Sequence, residues 1–144
     1  MRSRAWIALA ALLALVPGST CRKADLTGGM DVPITMRPGQ WVGFGKRPLE
    51  VVFLRVLQDA RCPLGATCDA SGDAVIQLQG KSSEGGFDTF EARLPGGAAP
   101  TDTTLLWDTW SGYRFRLLKL DPYPREGVAV DSTAWVATLL VRES

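Results

Sequence analysis

The stretch that indicates the fold class most clearly is Gly112-Tyr113-Arg114-Phe115-Arg116-Leu117-Leu118-Lys119-Leu120. In its first half Tyr113, Phe115 and Leu117 point to one side of an extended chain, and the two arginines between them point to the other. This period of two is typical of a β-strand with one face in a core and the other in solvent. We therefore predict a strand over residues 112–120.

Six further segments have the composition of short strands and are separated by clusters of Gly, Pro and Asp. The most apolar is Leu49–Leu57, which carries apolar residues at both parities, as a strand buried on both faces would. The others are Val32–Met36, Ala74–Gln79, Phe87–Leu94, Thr103–Trp107 and Thr133–Val141. Seven strands with turn signals between them predict an all-β domain over residues 31–144. The expected architecture is an antiparallel, Ig-like β-sandwich, with a partly closed barrel as the alternative.

The N-terminus has the three regions of a secretory signal peptide. Arg2 and Arg4 supply the basic region, Ala5–Val16 is an uninterrupted apolar run, and small, turn-prone residues follow as far as Thr20. The apolar run is too short to span the ~30 Å of a bilayer core as a helix. We therefore predict a signal-peptide helix in residues 1–20, followed by a flexible tether in the polar, Gly-bearing residues 21–30.

The three cysteines have different expected fates. Cys62 and Cys68 are separated by five residues that include Pro63 and Gly65, so they lie close enough to form a structural disulfide in an oxidising compartment. Cys21 is then left without a partner. The segment Gly18-Ser19-Thr20-Cys21 resembles a bacterial lipobox, which predicts lipidation of Cys21. A free thiol on a chain cut by ordinary signal peptidase is the alternative.

The composition excludes several classes of function. The chain has no His, which removes the commonest general base and a frequent metal ligand. Loss of residues 1–20 would leave 14 basic and 15 acidic side chains, a balance that argues against a nucleic-acid partner. Asp59, Asp69 and Asp73 are the candidate carboxylates for a hydrolase, although acidic residues are also common turn formers. We predict no catalytic residues, no metal site and no cofactor.

Aromatic residues provide the candidate binding surface. Trp41 with Phe44, and Trp107 with Trp110, lie at or beside predicted loops, where large rings can serve as binding anchors. The alternative interpretation places Trp107 in the core between the sheets and Trp110 over one end of the sandwich.

Two motifs resemble a family of small, uncharacterised bacterial lipoproteins. The first runs from Asp59-Ala60-Arg61-Cys62-Pro63 through Cys68 to Gly72-Asp73-Ala74. The second joins Tyr113-Arg114-Phe115-Arg116-Leu117 to Leu120-Asp121-Pro122-Tyr123-Pro124. The similarity covers about residues 50–141, of which only these motifs are specific. It implies an exported, lipid-anchored β domain and brings no known reaction.

The predicted function is therefore that of a bacterial cell-envelope protein, in the periplasm or at the outer membrane, with a structural or binding role and no enzymatic activity. Its expected partners are the membrane, through the N-terminal lipid, and an envelope protein. Two alternatives remain. The first is an interaction module, such as an inhibitor of an envelope protease, that binds through its end loops. The second is a carboxylate-based hydrolase.

Overall fold

The computed structural model describes residues 26–83, 86–97 and 107–144, and these residues form nine β-strands. The strands are β1 (Leu26–Thr27), β2 (Ile34–Met36), β3 (Trp41–Gly43), β4 (Glu50–Asp59), β5 (Ala74–Lys81), β6 (Phe87–Leu94), β7 (Asp108–Trp110), β8 (Tyr113–Asp121) and β9 (Val136–Glu143). Within those ranges no helix is long and apolar enough to cross a membrane. The predicted signal peptide and Cys21 lie outside the described residues, as do residues 103–106 of the predicted strand Thr103–Trp107.

The strands form two sheets that face each other across one core. The order in the five-stranded sheet is β1-β3-β4-β5-β6, and the order in the four-stranded sheet is β2-β9-β8-β7. Every pairing is antiparallel except that of β1 with β3, which is parallel. The predicted all-β sandwich is confirmed, with nine described strands in place of the expected seven.

The core lies between the sheets and is built from the apolar positions of the long central strands. Phe53 and Leu78 come from one sheet and are fully buried, as are Phe115 and Leu139 from the other. Complete burial of a side chain of this size stabilises the fold by about 1.5–3 kcal/mol. The alternation predicted for β8 is confirmed, because Phe115 and Leu117 are buried in this core.

The expectation that Leu49–Leu57 is buried on both faces is correct for only part of that segment. Val51, Val52 and Phe53 are buried, but Leu54 and Leu57 are 36% and 40% exposed. The reason is two irregularities in the pairing of β4 with β5, which leave Leu54 and Leu57 without a partner in the ladder. An extra residue in a strand breaks the strict alternation, so apolar residues beyond it no longer follow the simple inside–outside pattern.

The structure also moves the boundary between tether and domain. Leu26–Thr27, inside the predicted tether of residues 21–30, pairs with Val42–Gly43. A Cβ on Gly28 would lie 3.0 Å from side-chain atoms of Phe44 and Val42, so this glycine lets the chain pass close over the core. The sandwich therefore includes Leu26 and Thr27, which the sequence places in the tether. The short strands β3 and β7 were also missing from the predicted set.

Candidate functional site

The two motif segments meet at one end of the sandwich, in a group that we call the clasp: Asp59, Arg61, Leu120, Pro122 and Tyr123. Arg61 lies just after β4 and is 5% exposed. Its Nε and Nη2 donate hydrogen bonds to the two carboxylate oxygens of Asp59, at 2.7 and 2.6 Å. Such a two-pronged pair suits the planar guanidinium and fixes its orientation.

The same guanidinium reaches the second motif. Its Nη1 donates to the carbonyl oxygen of Leu120 at 2.8 Å, and Nη2 lies 3.4 Å from that of Pro122. The Tyr123 ring covers it, with the guanidinium carbon 4.7 Å from the ring centroid. Arg61 therefore ties the end of the five-stranded sheet to the segment that leaves the four-stranded sheet. Because its donors already have partners, it is poorly placed to bind an anion from solution.

The disulfide loop is attached to the same end of the molecule. Cys62 and Cys68 are bonded, with Cα atoms 6.0 Å apart, as predicted. The Cys62 N–H donates to Ser71 Oγ at 3.0 Å. Inside the loop, the Leu64 N–H donates to the Pro124 carbonyl at 2.9 Å, and the Leu64 carbonyl accepts from the Glu126 N–H at 3.0 Å. The loop is thus joined by backbone hydrogen bonds to the connection between β8 and β9.

The three candidate carboxylates do not share a site. Asp59 is engaged by Arg61 in the clasp, whereas Asp73 pairs with Arg93 at 3.2 Å and accepts a hydrogen bond from the Gly96 N–H at 3.3 Å. Asp69 is exposed on the disulfide loop. Among the described residues, no three acidic or Cys side chains are grouped so that they could hold a metal ion.

Two aspartates elsewhere have shifted acidities. Burial raises the pKa of Asp108 on β7, although the hydrogen bond from the Arg93 N–H at 3.0 Å and the charge of Arg93 oppose the rise. At exposed Asp131, the hydrogen bonds from the side chain and backbone of Thr133 lower the pKa. The two carboxylates have different partners, Arg93 for Asp108 and Thr133 for Asp131, and neither acts on the pKa of the other.

The four aromatic residues of the predicted rim are distributed over different parts of the molecule. Phe44 is 3% exposed and belongs to the core, so it cannot contribute to a surface. Trp110 is stacked on Phe90, with ring centroids 4.8 Å apart, at the edge of the space between the sheets. This position agrees with the alternative in which Trp110 closes one end of the sandwich.

The other two tryptophans mark the outer faces of the two sheets. Trp107 lies under two arginine side chains, with the guanidinium carbons of Arg114 and Arg142 at 5.4 and 5.1 Å from its ring. Trp41 contacts Phe87 edge to face, with ring centroids 5.8 Å apart. Phe87 is 62% exposed and was absent from the predicted site. The signal for it was weak, since it is the first residue of an otherwise ordinary alternating strand.

An open cleft of about 300 Å³ lies beside the clasp. Its walls come from the connection between β8 and β9 and are mostly apolar: Pro122, Tyr123, Val128, Ala129, Val130 and Ala134, with Arg125 and Asp131 at the margin. The cleft is shallow and has few converging polar groups, unlike a site built to orient a small polar substrate.

Comparisons with known proteins add no family to this geometry. No protein-family model matches the chain, and no curated protein or solved structure matches it at a significant level. What the structure shows of the two motif segments is that parts of both meet in the clasp.

Proposed function

We propose that this protein is exported, is anchored to the bacterial cell envelope by lipid on Cys21, and has a structural or binding role there. The observation that carries the proposal is the bond between Cys62 and Cys68. This bond accounts for two of the three cysteines and fits an oxidising compartment. Cys21 is the cysteine that remains, and it directly follows a segment with the three regions of a signal peptide.

A role without catalysis is supported by how the polar side chains are used. The buried arginine and its carboxylate partner in the clasp satisfy each other, and Asp73 is held by Arg93. A catalytic carboxylate has to reach its substrate, usually within hydrogen-bond distance. Asp59 and Asp73 are instead committed to contacts within the fold, which makes a carboxylate hydrolase the weaker alternative.

The interaction module that binds through end loops gains no support from the tryptophans. An exposed apolar patch formed by Trp41 and Trp110 together would have favoured it. Trp110 packs across Gly80 of β5, because a Cβ at that glycine would lie 2.3 Å from the indole ring. Gly80 pairs with Val51, which is buried on the core side, whereas Trp41 pairs with Val52 on the opposite side of the sheet. The two tryptophans are therefore on opposite faces.

The proposal is tested by expressing the full chain in a bacterial host and measuring the mass of the mature protein. We expect a chain that begins at Cys21, carries a diacylglyceryl group and an acyl chain, and partitions into detergent. Cys21→Ala should abolish the added mass and release the protein from membranes. The double variant Cys62→Ala/Cys68→Ala is the matched control and should keep its lipid. A soluble wild-type protein with an unmodified N-terminus would contradict the proposal.

A further inference from the structure

The outer face of the five-stranded sheet carries a patch that we call the aromatic face: Trp41, Val52, Leu54, Lys81 and Phe87. Val52 lies between the core residues Val51 and Phe53, so its side chain points away from the core, yet it is only 2% exposed. Trp41 is its direct cross-strand neighbour. The aromatic rings thus lie over a sheet face that would otherwise be open to solvent.

Apolar side chains are accessible on this face, beside the polar side chains of Glu50 and Gln79. Phe87 is 62% exposed and Leu54, left unpaired by the irregularity in β4, is 36% exposed. The Lys81 ammonium lies 5.8 Å from the centroid of the Phe87 ring. Exposed Phe and Leu beside a Trp and a Lys are the side chains favoured where hydrocarbon meets lipid headgroups, because rings enter the interface while the ammonium reaches phosphate.

The N-terminal connection holds this face near the bilayer if Cys21 carries lipid. The described chain begins at Leu26, which pairs with Val42, the residue next to Trp41. Five peptide units join Cys21 to Leu26 and cannot span more than about 18 Å. A domain of this size is roughly 35 Å across. The reach of this connection is thus shorter than the width of the domain. In the anchored protein, a surface beside β1 must therefore lie close to the headgroups.

We propose that the aromatic face lies against the phospholipid bilayer that holds the Cys21 lipid, and so fixes the orientation of the sandwich on the membrane. This inference depends on the proposed lipid anchor. The short connection limits the distance from the bilayer, and the exposed rings determine which face meets it. Interfacial contact of this kind gains free energy from the apolar area that leaves water.

The opposite outer face is less suited to this role. Its strands carry none of the large apolar side chains that are exposed in the described part of the chain. Two of its cations already have partners, because Arg142 pairs with Asp31 and Lys119 lies 2.7 Å from Asp121. Trp107 is covered by arginines on that side and therefore reports on the face that we expect to point away from lipid.

The test uses the full-length lipidated protein in vesicles of phosphatidylethanolamine, phosphatidylglycerol and a phosphatidylcholine brominated near the top of its acyl chains. Bromine quenches tryptophan fluorescence only at short range. We expect quenching in the wild type, loss of most of it in Trp41→Phe, and its retention in the matched control Trp107→Phe. Phe87→Ser, a change at an exposed position, should reduce the quenching of Trp41 without loss of folding.

The outcomes separate the orientation from the anchor. If the protein floats with the vesicles but Trp41→Phe is quenched as much as the wild type, the proposed orientation is wrong and the lipid anchor stands. This result would also follow if the aromatic face binds another protein. Quenching lost in Trp107→Phe instead would assign the other face to the bilayer. Protein that carries no lipid and does not float would overturn both proposals.

Discussion

The two ends of the sandwich hold the sheets together by different means. At one end, a buried guanidinium links Asp59 to the carbonyl of Leu120. At the other end, Trp110 lies flat on Phe90, with ring planes inclined by 6°, and covers Gly80. The clasp depends on directional hydrogen bonds, whereas the contact of Trp110 with Phe90 and Gly80, which we call the aromatic end, depends on how closely the rings pack. Removing one charged group should therefore destabilise the clasp strongly, and changing a side-chain volume should destabilise the aromatic end.

The largest expected effect is that of Arg61→Met, which leaves the nearly buried Asp59 carboxylate without its partner. Removing one member of a buried ion pair typically destabilises a protein by about 3–5 kcal/mol. The measurement is the free energy of unfolding in urea. Arg93→Met is the matched control, because that ion pair is half-exposed and is worth about 0–1 kcal/mol. Adding Asp59→Leu to Arg61→Met should recover part of the loss. Equal losses for the two single arginine variants would remove the distinction between the clasp and an ordinary surface pair.

A somewhat smaller effect is expected from removing the disulfide with Cys62→Ser/Cys68→Ser. The gain in chain entropy for a ring of this size destabilises the fold by about 2–2.5 kcal/mol. The variant should still fold, because the hydrogen bonds of Leu64 to the β8–β9 connection remain. Amide hydrogen exchange should accelerate at Leu64 and Glu126 and stay unchanged at Gly80. Equal acceleration at both ends would show that the loop acts on the whole molecule.

The aromatic end is tested by Gly80→Ala. The new Cβ would lie 2.3 Å from the Trp110 ring, so the indole has to move away from Phe90. Overfilling a packed core typically costs about 1–3 kcal/mol. We expect reduced stability together with red-shifted tryptophan fluorescence. Gly97→Ala is the control, because nothing lies within 4 Å of its Cβ position. If both variants were as stable as the wild type, the stack would not contribute to joining the sheets.

The smallest expected effect is on the pH dependence of stability. Burial raises the pKa of Asp108, so the folded state loses stability as this carboxyl ionises with rising pH. When the pH is raised from about 3 to about 7, the stability of Asp108→Asn should therefore increase relative to that of the wild type. Asp131→Asn should change in the opposite direction, because hydrogen bonds from Thr133 lower the pKa of Asp131. Melting temperatures at both pH values test the pair. Parallel changes in the two variants would contradict these assignments.

The fold could be predicted from the sequence where alternation is uninterrupted. Phe115 and Leu117 in β8, and Ile76 and Leu78 in β5, follow a period of two and are buried as that period requires. The pattern fails where a strand contains an extra residue. Leu118 lies between the paired residues Leu117 and Lys119 without a partner of its own, so Leu120 and not Lys119 enters the core.

The clasp and the aromatic face could not be predicted in the same way, because both depend on contacts between distant segments. In the sequence Arg61 stands out only as part of a motif, whereas its burial depends on carbonyl groups that lie 59 and 61 positions later in the chain. Phe44 is expected on a rim because it lies beside a predicted loop, but it is buried. Short strands such as Trp41–Gly43 contain too few residues for alternation to be recognised.

The lengths of the outermost strands have a consequence for contacts between copies of this protein. Of the four edges in the described sheets, three are strands of only two or three residues, β1, β2 and β7. The fourth, β6, is long, but the backbone N–H groups of Thr89 and Arg93 donate to the carboxylates of Asp88 and Asp108. A neighbouring copy that offered a strand would therefore meet three short edges and, on β6, two N–H groups that already have partners. Short edge strands and engaged backbone groups both disfavour edge-to-edge pairing between copies.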